Sequence, residues 1–327
     1  MASIRRHGEG WRAEIYVNGK RASAKFPTRR AAEAWAIAKV TDIKEDAART
    51  PAARYTVADL LRRYRDEISP KKRGADFDRL RIGAWLASPT FPAGALSTIT
   101  PGHFAAWRDE RLKTVKPGTV LREFSILGDM FETARREWRW ITENPVHDVR
   151  KPPAPRHRDK VISWQEIRAL LTAMRYSPRR PIRSVTGAVA VCFLLALRTG
   201  MRAGELCGLT WENVEEDFCR LPVTKTNPRN VPLTKKSRRL IDKMRGFDDV
   251  LVLGGLKTTS LDALFRKYRN KAGLKGFTFN DSRHTAATRI ALKVDVLTLC
   301  KIFGWTNPKM AMVYYNPSAS SIAKRLE

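Results

Sequence analysis

Acidic side chains are scarce in this chain: 33 Asp and Glu stand against 62 Lys and Arg, leaving a formal net charge of +29 over 327 residues. Such an excess opposes compactness through self-repulsion, so a polyanionic partner is the natural reason to keep it. Cysteine is also sparse. Cys192, Cys207, Cys219 and Cys300 form no C-x-x-C pair and stand mostly among apolar neighbours. That pattern argues against zinc ligation or disulfides and for buried free thiols in a reducing compartment. The five histidines do not cluster, so no metal site is expected. Long apolar runs are missing too. The longest, Val185 to Leu197, falls short of the ~20 residues of a membrane-spanning helix, and the opening MASIRRHGEGW lacks the apolar stretch of a secretory signal. A cytoplasmic location without a membrane partner follows. Nor are the glycines arranged for a nucleotide: Leu253-Gly-Gly-Leu-Lys-Thr258 is the nearest approach to a phosphate-binding loop, and its spacing is wrong. No cofactor is expected.

What is present is a globular composition, 43% hydrophobic and 29% charged, in a chain long enough for two or three domains. Residues 1–50 read as a small unit. Trp11 to Val17 alternates like a strand, Asn18-Gly19 supplies a tight hairpin turn, and Lys20 to Phe26 returns. Thr28 then caps a helix running to about Asp46. From Ile4 to Arg30 there are eight Lys/Arg against two Glu, so this basic hairpin backed by a helix is suited to a DNA groove. Arg49 to Arg54 reads as a linker. Residues 55–149 have helical periodicity, beginning with Val57, Leu60, Leu61 and Tyr64, and continuing over Phe77–Ala87, Pro101–Thr114 and Thr119–Trp138. Residues 150–160 form a second linker, in which prolines and five basic residues favour an extended, phosphate-seeking chain. In the last segment, 161–327, Ser163 and Glu166 make a capping box for a helix to Met174, and Thr186–Leu197 is an apolar core helix. Cys219–Thr226 and Asn230–Leu233 suggest two short strands, after which helices resume.

Four stretches of this last segment carry chemistry. The first is Leu197-Arg-Thr-Gly-Met-Arg-Ala-Gly-Glu-Leu-Cys-Gly-Leu-Thr-Trp211. Gly200 can end the apolar helix in a left-handed turn, leaving Arg202 to project from a fixed corner with the forked geometry that suits phosphate oxygens. The second, Leu221 to Thr234, is a hairpin pattern with Lys225 before a basic turn and a Val-Pro-Leu strand. The third is Phe277-Thr-Phe-Asn-Asp-Ser-Arg-His-Thr-Ala-Ala-Thr288. The fourth, Lys301 to Asn316, contains Trp305 and, nine residues later, Tyr314.

Together these stretches resemble the catalytic boxes of the tyrosine recombinase (phage integrase) family. The resemblance covers roughly the last 170 residues of the chain. It implies that Arg202 and Arg283 are the two phosphate-binding arginines, with Glu205 as the supporting acid. Lys225 would be the general acid that protonates a departing 5′ oxygen, and Trp305 an indole donor to a phosphate oxygen. Tyr314 would be the nucleophile, with Tyr315 its rejected neighbour. One position departs from the family: Asn280 stands where a histidine is usual, and an amide can donate a hydrogen bond but not shuttle a proton. His284 adjoins Arg283 in the family pattern as well. Helix neighbours point about 100° apart, so it reads as a packed histidine.

The fold implied is mainly α with small β elements: an arm-type hairpin and helix, a helical core-binding bundle and a mixed α/β catalytic domain. The activity implied is cutting and rejoining of double-stranded DNA through a 3′-phosphotyrosine, needing no ATP because the covalent link conserves the bond energy. The resemblance further implies a homotetramer on two DNA sites and Ser318–Glu327 packed on a neighbouring protomer, and it leaves room for an accessory DNA-bending protein as a further partner, a need the sequence does not decide. An integrase of a phage or genomic island is the leading reading. The alternatives are a shufflon-type invertase, a topoisomerase-like enzyme, and a non-catalytic DNA-binding protein, the last favoured by Asn280.

Overall fold

Alternation of small apolar and charged residues builds the first element of the protein, a three-stranded antiparallel sheet. A computed structural model describes residues 2–48, 50–155, 160–224, 227–315, 320 and 323. The chain divides into two units, Met1–Arg156 and His157–Glu327. In the first, β1 (Ala2–His7), β2 (Gly10–Val17) and β3 (Lys20–Phe26) pair in chain order, with Ala13 opposite both Ile4 and Ala24. The strand β1 was not expected. Its basic residues mask the alternation, and Gly8, at φ 61°, turns the chain into β2. Asn18 and Gly19 both take positive φ, as the expected hairpin turn requires. Helix α1 (Arg29–Ala48) starts where Thr28 accepts a hydrogen bond from the Ala31 amide. Ala32, Ala36 and Ile43 of α1 pack on Ala13 and Ile15, and the small side chains let the helix lie close to the sheet.

The presumed linker at Arg49–Arg54 is partly helical. Pro51–Arg54 forms a single turn, α2, with proline in the first turn where no amide donor is needed. Ala52 packs against the bundle core, and the following Tyr55 stacks on Trp140 at 3.8 Å. That bundle comprises α3 (Val57–Glu67), α4 (Ala75–Leu86), α5 (Pro101–Thr114) and α6 (Pro117–Arg136), close to the expected spans. Thr56 and Asp59 cap α3 reciprocally. Within it lies a fully buried carboxylate: Glu123 of α6 is held by Arg111 at 2.9 Å and Arg81 at 3.1 Å. The extended stretch after the bundle begins packed, with Val149 and Pro152 both buried. Arg156–Asp159 fall outside the described residues.

The second unit is organised around one apolar helix. Ser163 and Glu166 form the expected capping box of α7 (Trp164–Ala173). Helix α8 (Val185–Thr199) is capped by Ser184 and buries every residue from Ala188 to Leu197. A helix apolar on all sides must be enclosed, and α8 is covered by α9 (Ala203–Cys207), α10 (Lys235–Asp242), α11 (Thr258–Lys271) and α12 (Asp281–Ala291). Strands β4 (Phe218–Leu221) and β5 (Arg229–Pro232) form the expected antiparallel hairpin, with Cys219 opposite Val231. Helices α13 (Val296–Phe303) and α14 (Pro308–Met312) follow. All four cysteines are buried free thiols. Lys225 and Thr226, between β4 and β5 in the chain, lie outside the described residues. So does Ser318–Glu327 apart from Ser320 and Ala323. Among the described residues, no helix is long and apolar enough to cross a membrane.

Candidate active site

The site is assembled at the places where helices of the second unit end. Gly200 closes α8 in the left-handed region, at φ 67°. A β-carbon there would run into the Phe303 ring, so glycine is required by backbone and by space. The turn delivers Arg202 just ahead of α9, with its side chain 26% exposed.

Glu205, one turn into α9, is the hub. One carboxylate oxygen accepts from Arg202 Nη1 at 2.8 Å and Arg229 Nη1 at 3.0 Å. The other accepts from Arg229 Nη2 at 2.7 Å and the Arg202 amide at 2.8 Å. Burial pushes this carboxyl up, but the hydrogen bonds from Arg229 and Arg202 outweigh burial and hold it at about 2. Arg229 also donates through Nε to the Ile302 carbonyl at 3.0 Å. Each of its three guanidinium nitrogens is thereby bonded, so its contribution is to fix Glu205 and the end of α13. Sequence reasoning placed Arg229 only in a basic turn. The signal was present, however: Arg229, Val231 and Leu233 alternate on one face of a strand, so the arginine points inward with them.

Arg283 is 9% exposed. Its guanidinium donates to the Gly200 carbonyl at 2.5 Å and the Phe303 carbonyl at 2.9 Å, which clamps α12 to the ends of α8 and α13. Burial and the nearby charge of Arg202 lower its proton affinity, with Glu205 opposing. A guanidinium starts so high that it stays charged at neutral pH.

Behind Arg283 runs a column of rings. Phe303 stacks on Trp305 at 4.7 Å, and Trp305 stacks on Tyr314 at 5.0 Å with the planes 8° apart. His284 lies against Tyr314, also at 5.0 Å, tilted by 56°. Tyr314 is half-buried in the turn after α14, while Tyr315 is exposed. Burial raises the Tyr314 phenol above its ordinary value, and the positive charge of Arg283 pulls it back. Arg202, Arg283, Trp305 and Tyr314 are therefore brought together. Asn280 is exposed at the start of α12, its side chain capping nothing.

The Phage integrase family profile matches residues 160–321, the span that contains every one of these side chains. A Haemophilus influenzae protein named "Putative integrase/recombinase" is 34% identical over 331 residues, covering 97% of this chain and 88% of its own. The chain belongs to the phage integrase family. It is a tyrosine-type site-specific recombinase, with the mainly α fold and small sheets anticipated. Solved structures share that fold. A lambda integrase dimer bound to a COC′ core site superposes with a TM-score of 0.67 at 20% identity, covering 96% of the recombinase and 94% of that chain. A lambda integrase tetramer bound to a Holliday junction gives 0.66 at 19% identity, covering 94% and 96%.

Proposed function

We propose that this recombinase is an integrase of a phage or genomic island, with Tyr314 as its nucleophile. The observation that carries the nucleophile assignment is the position of Tyr314: half-buried on Trp305, within the field of Arg283, in the cluster that also holds Arg202. In this reading the Tyr314 oxygen attacks a DNA phosphorus, the bond to the 5′ oxygen breaks, and a 3′-phosphotyrosine remains. Arg202 and Arg283 offset the charge that builds on the non-bridging oxygens, and the Trp305 indole adds a donor. Lys225, on the strength of the family pattern, protonates the leaving 5′ oxygen. Attack by a second strand's 5′ hydroxyl then reseals the backbone without ATP.

Residues 1–50 act as an arm-type DNA-binding domain, 55–149 as the core-binding domain and 150–160 as the basic linker, with 161–327 carrying catalysis. The net charge of +29 supports a duplex DNA partner, as does the core-site DNA bound by the lambda integrase dimer. The lambda tetramer on a Holliday junction supports a homotetramer on two DNA sites.

The test uses DNA flanking the gene, mixed with wild-type protein or with Tyr314→Phe. A denaturant-resistant, protease-sensitive protein–DNA adduct is expected from the wild type alone. An adduct from Tyr314→Phe would remove Tyr314 from the role. Tight binding by both proteins with no adduct from either would replace the reading with a non-catalytic DNA-binding protein.

A further inference from the structure

The nucleophile must lose a proton as it attacks, and the side chain at the family's histidine position, Asn280, cannot accept one. Burial makes the difficulty greater, since it favours the neutral phenol over the phenolate. A proton acceptor is therefore required at Tyr314 from some other residue.

Helix geometry supplies a candidate. Four residues along a helix correspond to about 400° of rotation, so residues i and i+4 lie about 40° apart on one face, a single turn from each other. His284 stands in this relation to Asn280, and its amide donates to the Asn280 carbonyl at 3.4 Å, the helical i to i−4 bond. Relative to Arg283, one residue away, His284 points about 100° off, but relative to Asn280 it lies on the same face, one turn further along α12. There its ring meets the Tyr314 ring at 5.0 Å. Its placement is not loose: Arg283 beside it is tied to the carbonyls of Gly200 and Phe303, and Thr285 after it accepts from the Ile162 amide at 3.0 Å. The start of α12 is thus pinned on both sides of His284.

We propose that His284 is the general base for the nucleophile, its ring set against the Tyr314 ring and its imidazole receiving the phenol proton directly or through one water. The inference rests on the reading of Tyr314 as nucleophile. In the step, the phenol O–H bond breaks, the proton passes to the neutral imidazole, and the oxygen's electron pair forms the bond to phosphorus. Imidazole charge changes between about pH 5 and 8, so the reaction acquires a pH dependence in that window. The charge whose field reaches Tyr314 is that of Arg283 on α12, and Arg202, Glu205 and Arg229 in turn surround Arg283.

The experiment measures the initial rate of adduct formation from pH 5 to 9.5 on a plasmid carrying the flanking DNA. The proteins are wild type, His284→Gln, which keeps polarity without basicity, and His284→Phe, which keeps the ring. Thermal melts confirm that each variant is folded. The wild type is expected to rise with pH through the imidazole window and then level. Both variants are expected to be about 100-fold slower at pH 7 and, instead of levelling, to keep rising with pH up to 9.5 as the small phenolate fraction of Tyr314 grows. If His284→Gln and His284→Phe keep the wild-type pH profile and differ only by a constant factor, His284 is packing and the proposal is overturned. Equal rates at every pH overturn it as well. Tyr314→Phe run alongside separates the two levels: an adduct from that protein overturns the nucleophile assignment itself, whatever the His284 variants do.

Discussion

Replacing Glu205 by glutamine changes almost no volume and removes one negative charge, which isolates the electrostatics of the hub. The carboxylate accepts four hydrogen bonds, two at each oxygen, from Arg202 and Arg229. An amide offers one accepting oxygen, and its nitrogen would point a donor at donors, so two of the four bonds are lost. Arg229, with a side chain only 5% exposed, is left without its counter-charge. Unpairing a buried ion pair costs about 3–5 kcal/mol. Proton linkage gives a comparable figure. Glu205 is held at about 2 against an ordinary value of 4.5, which corresponds to at most about 3 kcal/mol, reduced by solvent screening at partly exposed Arg202. Because the folded value is depressed, this contribution is complete above pH 4.5 and is lost as pH falls from there through about 2. Urea unfolding followed by fluorescence at pH 7 should place Glu205→Gln about 3 kcal/mol below wild type. The gap should close progressively between pH 4.5 and 2, where the wild-type carboxyl takes up its proton. A difference under about 1 kcal/mol at pH 7, or one that stays constant into acid, would refute the assignment of Glu205 as the charged hub.

Gly200→Ala should lower stability by about 2–4 kcal/mol, since it adds a left-handed alanine to a clash with Phe303. Adduct formation should fall with it, because Arg283 is anchored on the carbonyls of both residues; a thermal melt and the adduct assay check this. Asn280→His restores the family residue at an exposed helix start. With His284 already at Tyr314, the rate at pH 7 should change by far less than the ~100-fold a missing general base costs. DNA binding should weaken by orders of magnitude between about 50 and 200 mM salt, as expected when many phosphates are contacted. A flat response in a titration of labelled duplex would contradict the charge argument.

Local chemistry was largely legible in the sequence. The capping box at Ser163 and Glu166, the Asn18-Gly19 turn and the all-apolar face of α8 each follow from interactions within a few residues. So does the left-handed Gly200 that aims Arg202. The misses at β1 and α2 have a physical reason too. Each element is stabilised by partners outside itself, β1 by pairing with β2 and α2 by packing on the bundle through Ala52. The packing of Tyr314 against Arg283, Trp305 and His284 joins residues from α12, the end of α13 and the turn after α14, and periodicity fixes none of those distances. Arg229 was visible only as a charge, because its partners Glu205 and Ile302 are 24 and 73 residues away in the chain. Sequence determined which groups were available and which way each faced on its own element. Tertiary packing decided which of them share one carboxylate and which ring lies against the phenol, because those contacts form only when helix ends distant in the chain are brought together around α8.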